Sequence, residues 1–285
     1  MKTSLSRRDF LLQSAAATAA GTAVAALARP IRAAKAADKY GGLPMGIQSY
    51  SLRKFNLTEA LRHIEGMGLH HVEFYGAHYS TDSSAEQTEK MNKLLAKAKL
   101  KISAHGVNGF SKNHAANRKL FEFAKQAGIR NITADPTPDS FDSLDKLVAE
   151  YKIRICIHNH GPGARYDGLE TVQRAVKGHH KWIGACVDTG HVIRSGEDPV
   201  KWVRELGARV FALHIKDVEK PQKRTHDVVI GSGHLDVIGL FKSLRKIKFP
   251  ADGSISLEYE SNPNNPIDDI RQCLEVAEKA IAKVG

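Results

Sequence analysis

Four short apolar runs end in side chains of the kind that bind metal ions. They read Arg154-Ile-Cys-Ile-His-Asn-His160, Ile183-Gly-Ala-Cys-Val-Asp-Thr-Gly-His191, Val210-Phe-Ala-Leu-His-Ile-Lys-Asp217 and Ile255-Ser-Leu-Glu-Tyr-Glu260. Runs of this length, bounded by turn or helix signals, are the mark of strands buried in a parallel sheet. His158, Asp188, His214 and Glu258 then stand at the carboxyl ends of four consecutive strands. Two imidazoles and two carboxylates form a mixed nitrogen and oxygen set suited to one divalent ion, whether Mn, Co, Zn or Fe. A cation chelating a carbonyl and its neighbouring hydroxyl acidifies the C–H between them and stabilises the enediolate. A carboxylate ligand or a nearby histidine can carry the proton. Taken singly, each residue has a bland alternative: a hydrogen-bonded structural histidine, an Asp-Thr-Gly turn, an ion-paired glutamate. The four together, one per strand end, argue for a metal site.

Neighbours at the same ends extend the set. His158 and His160 are two apart, so both can face one side of a strand; His158 is read as the ligand and His160 as an acid–base residue. Glu258 is preferred over Glu260 as ligand because it lies nearer its apolar run, which leaves Glu260 as a substrate contact. Glu73, closing a second strand, is read as a substrate contact, with an internal ion pair as its alternative. His105, closing a third, is a further acid–base candidate. His234, in a Gly-rich loop, either contacts substrate or caps a helix.

The elements that must position these groups alternate along the chain from Leu43. Strands are expected at Met45–Tyr50, His71–Tyr75, Lys101–Gly106 and Ile129–Ala134, followed by the four runs above. Helices are expected at Thr58–Met67, Ser84–Lys99, Asn113–Ala127, Phe141–Tyr151, Leu169–Val176, Pro199–Leu206, Val237–Ile247 and Ile267–Lys283. Eight strand–helix pairs predict a single α/β domain, a (β/α)8 TIM barrel over 38–285, and 285 residues suffice for its usual size of about 250. The open doubly wound sheet is disfavoured because no Gly-x-Gly-x-x-Gly follows the first strand.

Residues 1–37 are set apart. Ser6-Arg-Arg-Asp-Phe-Leu-Leu12 places a twin arginine before an Ala-rich stretch, Ala15 to Ala28, with small residues near Ala33 to Ala37. This predicts a cleavable twin-arginine signal and a periplasmic or exported protein, without membrane attachment once the signal is removed. The segment carries six basic residues against Asp9, so the remainder keeps +6 of the chain's net +11. That charge is spread over helix faces, so no nucleic-acid partner is expected, though an anionic ligand would be favoured electrostatically. Cys156, Cys186 and Cys273 form no Cys-x-x-Cys pair, so a disulfide framework or zinc knuckle is not expected. Self-association is left open.

The motifs Val187-Asp-Thr-Gly-His191, Leu213-His-Ile-Lys-Asp217, Gly231-Ser-Gly-His-Leu-Asp236 and Ser256-Leu-Glu258 resemble the xylose isomerase-like superfamily, in its sugar phosphate isomerase/epimerase branch. The resemblance spans about residues 43–283. It implies a metal-dependent enzyme that deprotonates a sugar or keto-sugar derivative next to its carbonyl. Asp188, His214 and Glu258 match the metal set of ketose 3-epimerases, while His191 and Lys220 match substrate-contacting positions; Lys216 is read with them. His158 departs from the pattern, because those epimerases carry their first catalytic Glu there, so a His must take one acid–base role. The His-Asn-His-Gly-Pro run is similar to exported relatives acting on 3-keto-glycosides by elimination and hydration. The readings that compete are therefore an isomerase or epimerase, a 3-keto-glycoside lyase or hydrolase, and a sugar-binding barrel without chemistry. A nuclease of the endonuclease IV type would need more ligands than can be placed.

Overall fold

In a computed structural model, residues 38–285 are described; the twin-arginine segment lies outside them. Eight parallel strands close into a barrel: β1 Met45–Gln48, β2 His71–Phe74, β3 Lys101–Phe110, β4 Asn131–Pro136, β5 Arg154–His158, β6 Ile183–Asp188, β7 Val210–Ile215 and β10 Ser254–Leu257. Two short strands, β8 Asp217–Val218 and β9 Asp227–Val228, pair antiparallel outside it. The expected TIM barrel is the observed one.

The outer helices form where amphipathic spacing and caps coincide. They are α1 Leu57–Gly66, α2 Ala85–Lys97, α3 His114–Gln126, α4 Phe141–Tyr151, α5 Leu169–Val176, α6 Thr189–Arg194, α7 Pro199–Leu206, α8 Val237–Lys246 and α9 Ile267–Val284. Asn56 and Glu59 make a reciprocal capping box at the start of α1, and Ser84 and Gln87 do so at α2, each pair satisfying two backbone N–H groups. Helix α6 was not expected. Asp188 caps it, accepting from His191 N at 2.8 Å. Cys156, Cys186 and Cys273 are free and buried, and burial pushes the Cys186 thiol up to about 11 and that of Cys273 up to about 12. They pack as small apolar groups.

Barrel tilt puts interior side chains in layers drawn from alternate strands. His158 stands opposite Cys186, Asp188 opposite His214, and His214 opposite Ser256. The histidines therefore share one layer, with Glu73, Thr133, Cys186 and Ser256 beneath and Asp188 and Glu258 above. The four expected ligands converge without being level.

One buried carboxylate closes the mouth on this side. Asp217 accepts five backbone N–H bonds, from Val218, Gly231, Gly233, His234 and Leu235, at 2.7–3.0 Å. Gly231 sits at φ +84°, and a Cβ on Gly233 would lie 2.3 Å from the Val218 carbonyl oxygen, so both glycines are dictated by this knot. Asp217→Asn replaces an acceptor oxygen with an NH2 group facing amide donors. It is expected to lower stability by about 3 kcal/mol in urea unfolding, with faster proteolysis between residues 229 and 235. A loss below about 1 kcal/mol would show that those amides find other acceptors.

Candidate metal centre and cleft

The ends of β5, β6 and β7 are stitched together by their own motif residues. Asn159 donates to the Asp188 carbonyl at 3.1 Å and accepts from Asp188 N at 2.8 Å. Thr189 Oγ1 accepts from Lys216 N at 2.8 Å and donates to Lys216 O at 2.6 Å. A Cβ on Gly190 would lie 2.7 Å from Lys216 Cβ, so only glycine lets α6 approach β7. The Asp-Thr-Gly and His-Ile-Lys motifs are thus two halves of one joint.

That joint gathers His158, Asp188, His214 and Glu258, all buried, with one potential ligand atom from each within 4.8 Å of the others. His158 Nε2 is 3.0 Å from His214 Nδ1 and 3.4 Å from Asp188 Oδ2. His214 Nδ1 is 2.9 Å from Glu258 Oε2 and 3.9 Å from Asp188 Oδ2. Donors bound about 2.0–2.2 Å from one ion stand roughly 3–3.5 Å apart, so these separations fit a shared cation. Asp188 Oδ2 is buried and makes no hydrogen bond among the described residues; the Lys216 ammonium stands 3.3 Å and His158 Nε2 3.4 Å from it, which leaves lone pairs free for a metal ion. The residues fit a divalent ion.

Protonation favours ligation at three of the four donors. Burial pushes His158 down to about 4, leaving a neutral imidazole with a free lone pair. Burial opposes charge on Asp188 and Glu258, yet the Lys216 ammonium, aided by neighbouring histidines, holds both well below the usual carboxylate range. Lys216 Nζ stands 3.3 Å from Asp188 Oδ2, 3.0 Å from Glu258 Oε2, and against Glu260 Oε1. Burial disfavours the charge on His214 too; Cys186, Glu73 and Glu258 outweigh it and raise the imidazole, so a metal ion binding there would have to displace its proton.

Glu73 has a different place from the one expected. It is fully buried beneath His214: its Oε1 meets His214 Nε2 at 3.0 Å and accepts from Thr133 at 2.6 Å, while Oε2 accepts from Ser256 at 2.6 Å. A carboxylate behind a histidine fixes the ring and strengthens its other nitrogen as a donor. Glu73 holds the His214 ring from beneath and does not line the cleft. His105 is also withdrawn. β3 continues to Phe110, so His105 lies mid-strand, its Nε2 2.8 Å from Tyr79 O and its Nδ1 3.1 Å from Asn108 Nδ2. Lys220 is exposed on the β8–β9 turn beside Glu219 at 3.9 Å. His234 is exposed and lines a separate shallow cavity with Pro221 and Asp236.

His160, His191, Lys216 and Glu260 do meet above the cluster. With His158 and Glu258 they line a cleft of about 470 Å³, within the range of small-molecule sites. The rings of His160 and His191 lie 5.4 Å apart. Burial, with their mutual repulsion and other charges, lowers His160, and burial takes His191 down to about 4. Both are neutral near pH 7. Tyr50, Tyr75, Val107 and Arg194, which line the same cleft, were not anticipated; applying the strand-end rule to β1–β3 as fully as to the last four strands would have found the first three.

The fold and site define a barrel with a buried cluster of nitrogen and oxygen donors opening onto a polar cleft. The chain belongs to the family described as xylose isomerase-like TIM barrel, whose model matches residues 61–280. An inosose dehydratase from Clostridium botulinum (strain Eklund 17B / Type B) is 25% identical over 145 residues, 45% of this chain and 48% of that protein, so the chain spans about half the length of this curated relative. A solved structure of an uncharacterized protein from Parabacteroides distasonis is 28% identical, covers 84% of this chain and 99% of its own, and superposes with a TM-score of 0.66. The IOLI protein, solved with a bound zinc atom, has a TM-score of 0.66 over 85% of this chain and 99% of its own; at 17% identity that likeness shows the fold alone.

Elemental analysis of purified protein is expected to find one transition-metal ion per chain, lost in His158→Ala and Glu258→Ala. Glu73→Gln should weaken metal affinity about 10–100-fold. A wild-type protein that stays metal-free after reconstitution with Mn²⁺, Co²⁺ or Zn²⁺ would leave Lys216 as the site's cation and overturn this assignment.

Proposed function

We propose that this protein is a divalent-metal lyase that removes the proton next to the ketone of a keto-sugar glycoside and expels the glycosidic oxygen. The observation carrying this reading is the pairing, in one cleft, of the four-donor cluster with the neutral imidazole of His160. An ion held by His158, Asp188, His214 and Glu258 would polarise a ketone oxygen brought against it; the zinc of the IOLI structure supports such use of the fold. His160 takes the proton from the carbon beside the ketone, and the imidazolium so formed hands it to the departing oxygen. The C–H and C–O bonds break, a C=C bond forms, and the residue returns to its neutral state. Lys216, held charged by its carboxylate partners, offers an ammonium to the oxygen that gains negative charge. Moving a proton from carbon to oxygen needs one base that becomes an acid, and a neutral imidazole is suited to it. Similarity to an inosose dehydratase supports an elimination.

A second reading, an isomerase or epimerase, is favoured by the ionised carboxylate of Glu258 bordering the same cleft. A proton taken by one group and returned by the other would invert or shift the centre. Incubation with 3-keto-glycosides in deuterated buffer separates the two readings. The lyase releases the aglycone in a metal-dependent reaction; the isomerase exchanges a substrate C–H with solvent and releases no alcohol. His160→Asn is expected to lower kcat by about 10²–10⁴-fold with metal content unchanged, and undiminished turnover would remove His160 from the mechanism.

Export through the twin-arginine route is proposed from Arg7 and Arg8 and the Ala-rich stretch behind them. Unphosphorylated sugars suit that location. N-terminal sequencing of protein expressed with its leader should show cleavage near residue 37; an intact Met1 in a cytoplasmic fraction would refute it. Among the described residues, no helix is long and apolar enough to cross a membrane.

A further inference from the structure

The cleft has two unlike halves. His158, His160, His191, Lys216, Glu258 and Glu260 come from the β5–β7 and β10 side, whereas Tyr50 and Tyr75 follow β1 and β2 and Val107 lies within β3. They also differ in depth. Asp188 and His214 are wholly buried, but Tyr50 is 37% and Val107 41% exposed; among the described residues only Leu94 and Ile238 are comparable large apolar groups in the open. Those two lie on the outer helices α2 and α8. An apolar patch at the mouth of a charged cleft points to a ligand.

The patch is held rigid. The Tyr50 and Tyr75 rings meet edge to face at 5.4 Å, and Tyr75 meets His78 at 4.7 Å. The Arg53 guanidinium lies 4.7 Å from the Tyr50 ring centre and is fixed by Tyr50 O at 3.2 Å and Glu260 O at 2.6 Å. Gln48 Oε1 accepts from Tyr50 N and its Nε2 donates to Gly106 O; Ser49 Oγ accepts from Tyr75 N. Both ends of Gln48, which lines this wall, are therefore spent on the backbone. Beyond the two tyrosine hydroxyls this wall offers a sugar ring little to hydrogen-bond, whereas an aromatic ring can pack on the tyrosine faces and Val107. A preformed aromatic surface binds a flat ring with little loss of entropy.

We infer that Tyr50, Tyr75 and Val107 form a subsite for an aromatic aglycone, the part of a glycoside that extends outward while its sugar reaches the buried cluster. This inference rests on the lyase reading for the words sugar and aglycone, and the test is chosen to separate the two. Binding is measured by calorimetry with unoxidised probes that cannot turn over: methyl, phenyl and β-glucosyl (cellobiose) glucosides. Wild-type protein is expected to bind the phenyl glucoside at least tenfold more tightly than the methyl glucoside, with cellobiose near the methyl value. Tyr50→Ala and Tyr75→Ala should each cut that preference several-fold with metal content unchanged. Val107→Ser, an exposed and conservative change, and Tyr50→Leu, which keeps bulk without the ring, serve if a Tyr→Ala variant fails to fold. Equal affinity for the phenyl and methyl probes, no saturable binding of the phenyl probe, a preference for cellobiose, or a preference unmoved by the variants would each overturn the subsite. A phenyl preference in a protein that releases nothing from 3-keto-glycosides would sink the lyase reading and leave the subsite standing.

Discussion

Three carboxylates buried inside one barrel cannot all remain charged without cations beside them, and the structure turns on how that is met. Glu73, Asp188 and Glu258 are joined by the His214 ring, 3.0 Å from Glu73 and 2.9 Å from Glu258, and by the Lys216 ammonium, 3.3 Å from Asp188 and 3.0 Å from Glu258. Desolvation of such ions costs several kcal/mol each, so the cluster exists only because its charges are interleaved. His214 is central: one nitrogen faces Glu73 below, and the other faces the remaining donors above. Fixing that ring orients everything over it.

The joints around the cluster serve the same constraint. Asn159 and Thr189 leave no freedom for the ends of β5, β6 and β7 to part, and Asp217 ties down the loop that follows. These residues make no claim to chemistry, yet they occupy the same motifs as those that do. Motif conservation in such a run would mix support with function, and only contacts tell them apart. Asp188 shows the overlap within one side chain: Oδ1 caps α6 while Oδ2 faces the cluster.

Much of this was legible beforehand because fully buried parallel strands read as unbroken apolar runs, and polar residues at their ends stand out. That pattern located the eight strands and the four donors, and favoured His158 over His160 as the group facing the others. What was not legible depended on where strands stop and loops turn. His105 looked terminal because Gly106 resembled a strand end, but β3 runs on to Phe110 with a register shift after His105. Lys220 was placed by counting from His214, and the β8–β9 turn carries it outward. Glu73 was assigned to substrate since nothing local says that two strands' hydroxyls, Thr133 and Ser256, will close over it. Helix α6 was missed because an Asp read as a ligand was not also read as a cap.

The unlike halves of the cleft follow from the same economy of burial. Charged groups need other charges within reach, so they accumulate on the contiguous strands where His214 and Lys216 can serve several partners at once. On the β1–β3 side the one buried charge, Glu73, lies beneath His214 and does not line the cleft, so aromatic and aliphatic side chains reach the rim there. A molecule entering such a cleft is ordered by polarity before any specific contact forms: its polar, reactive end is drawn to the donors, and its apolar end stays near the mouth. Orientation of that kind would be set by the distribution of charge around the barrel rather than by any single residue.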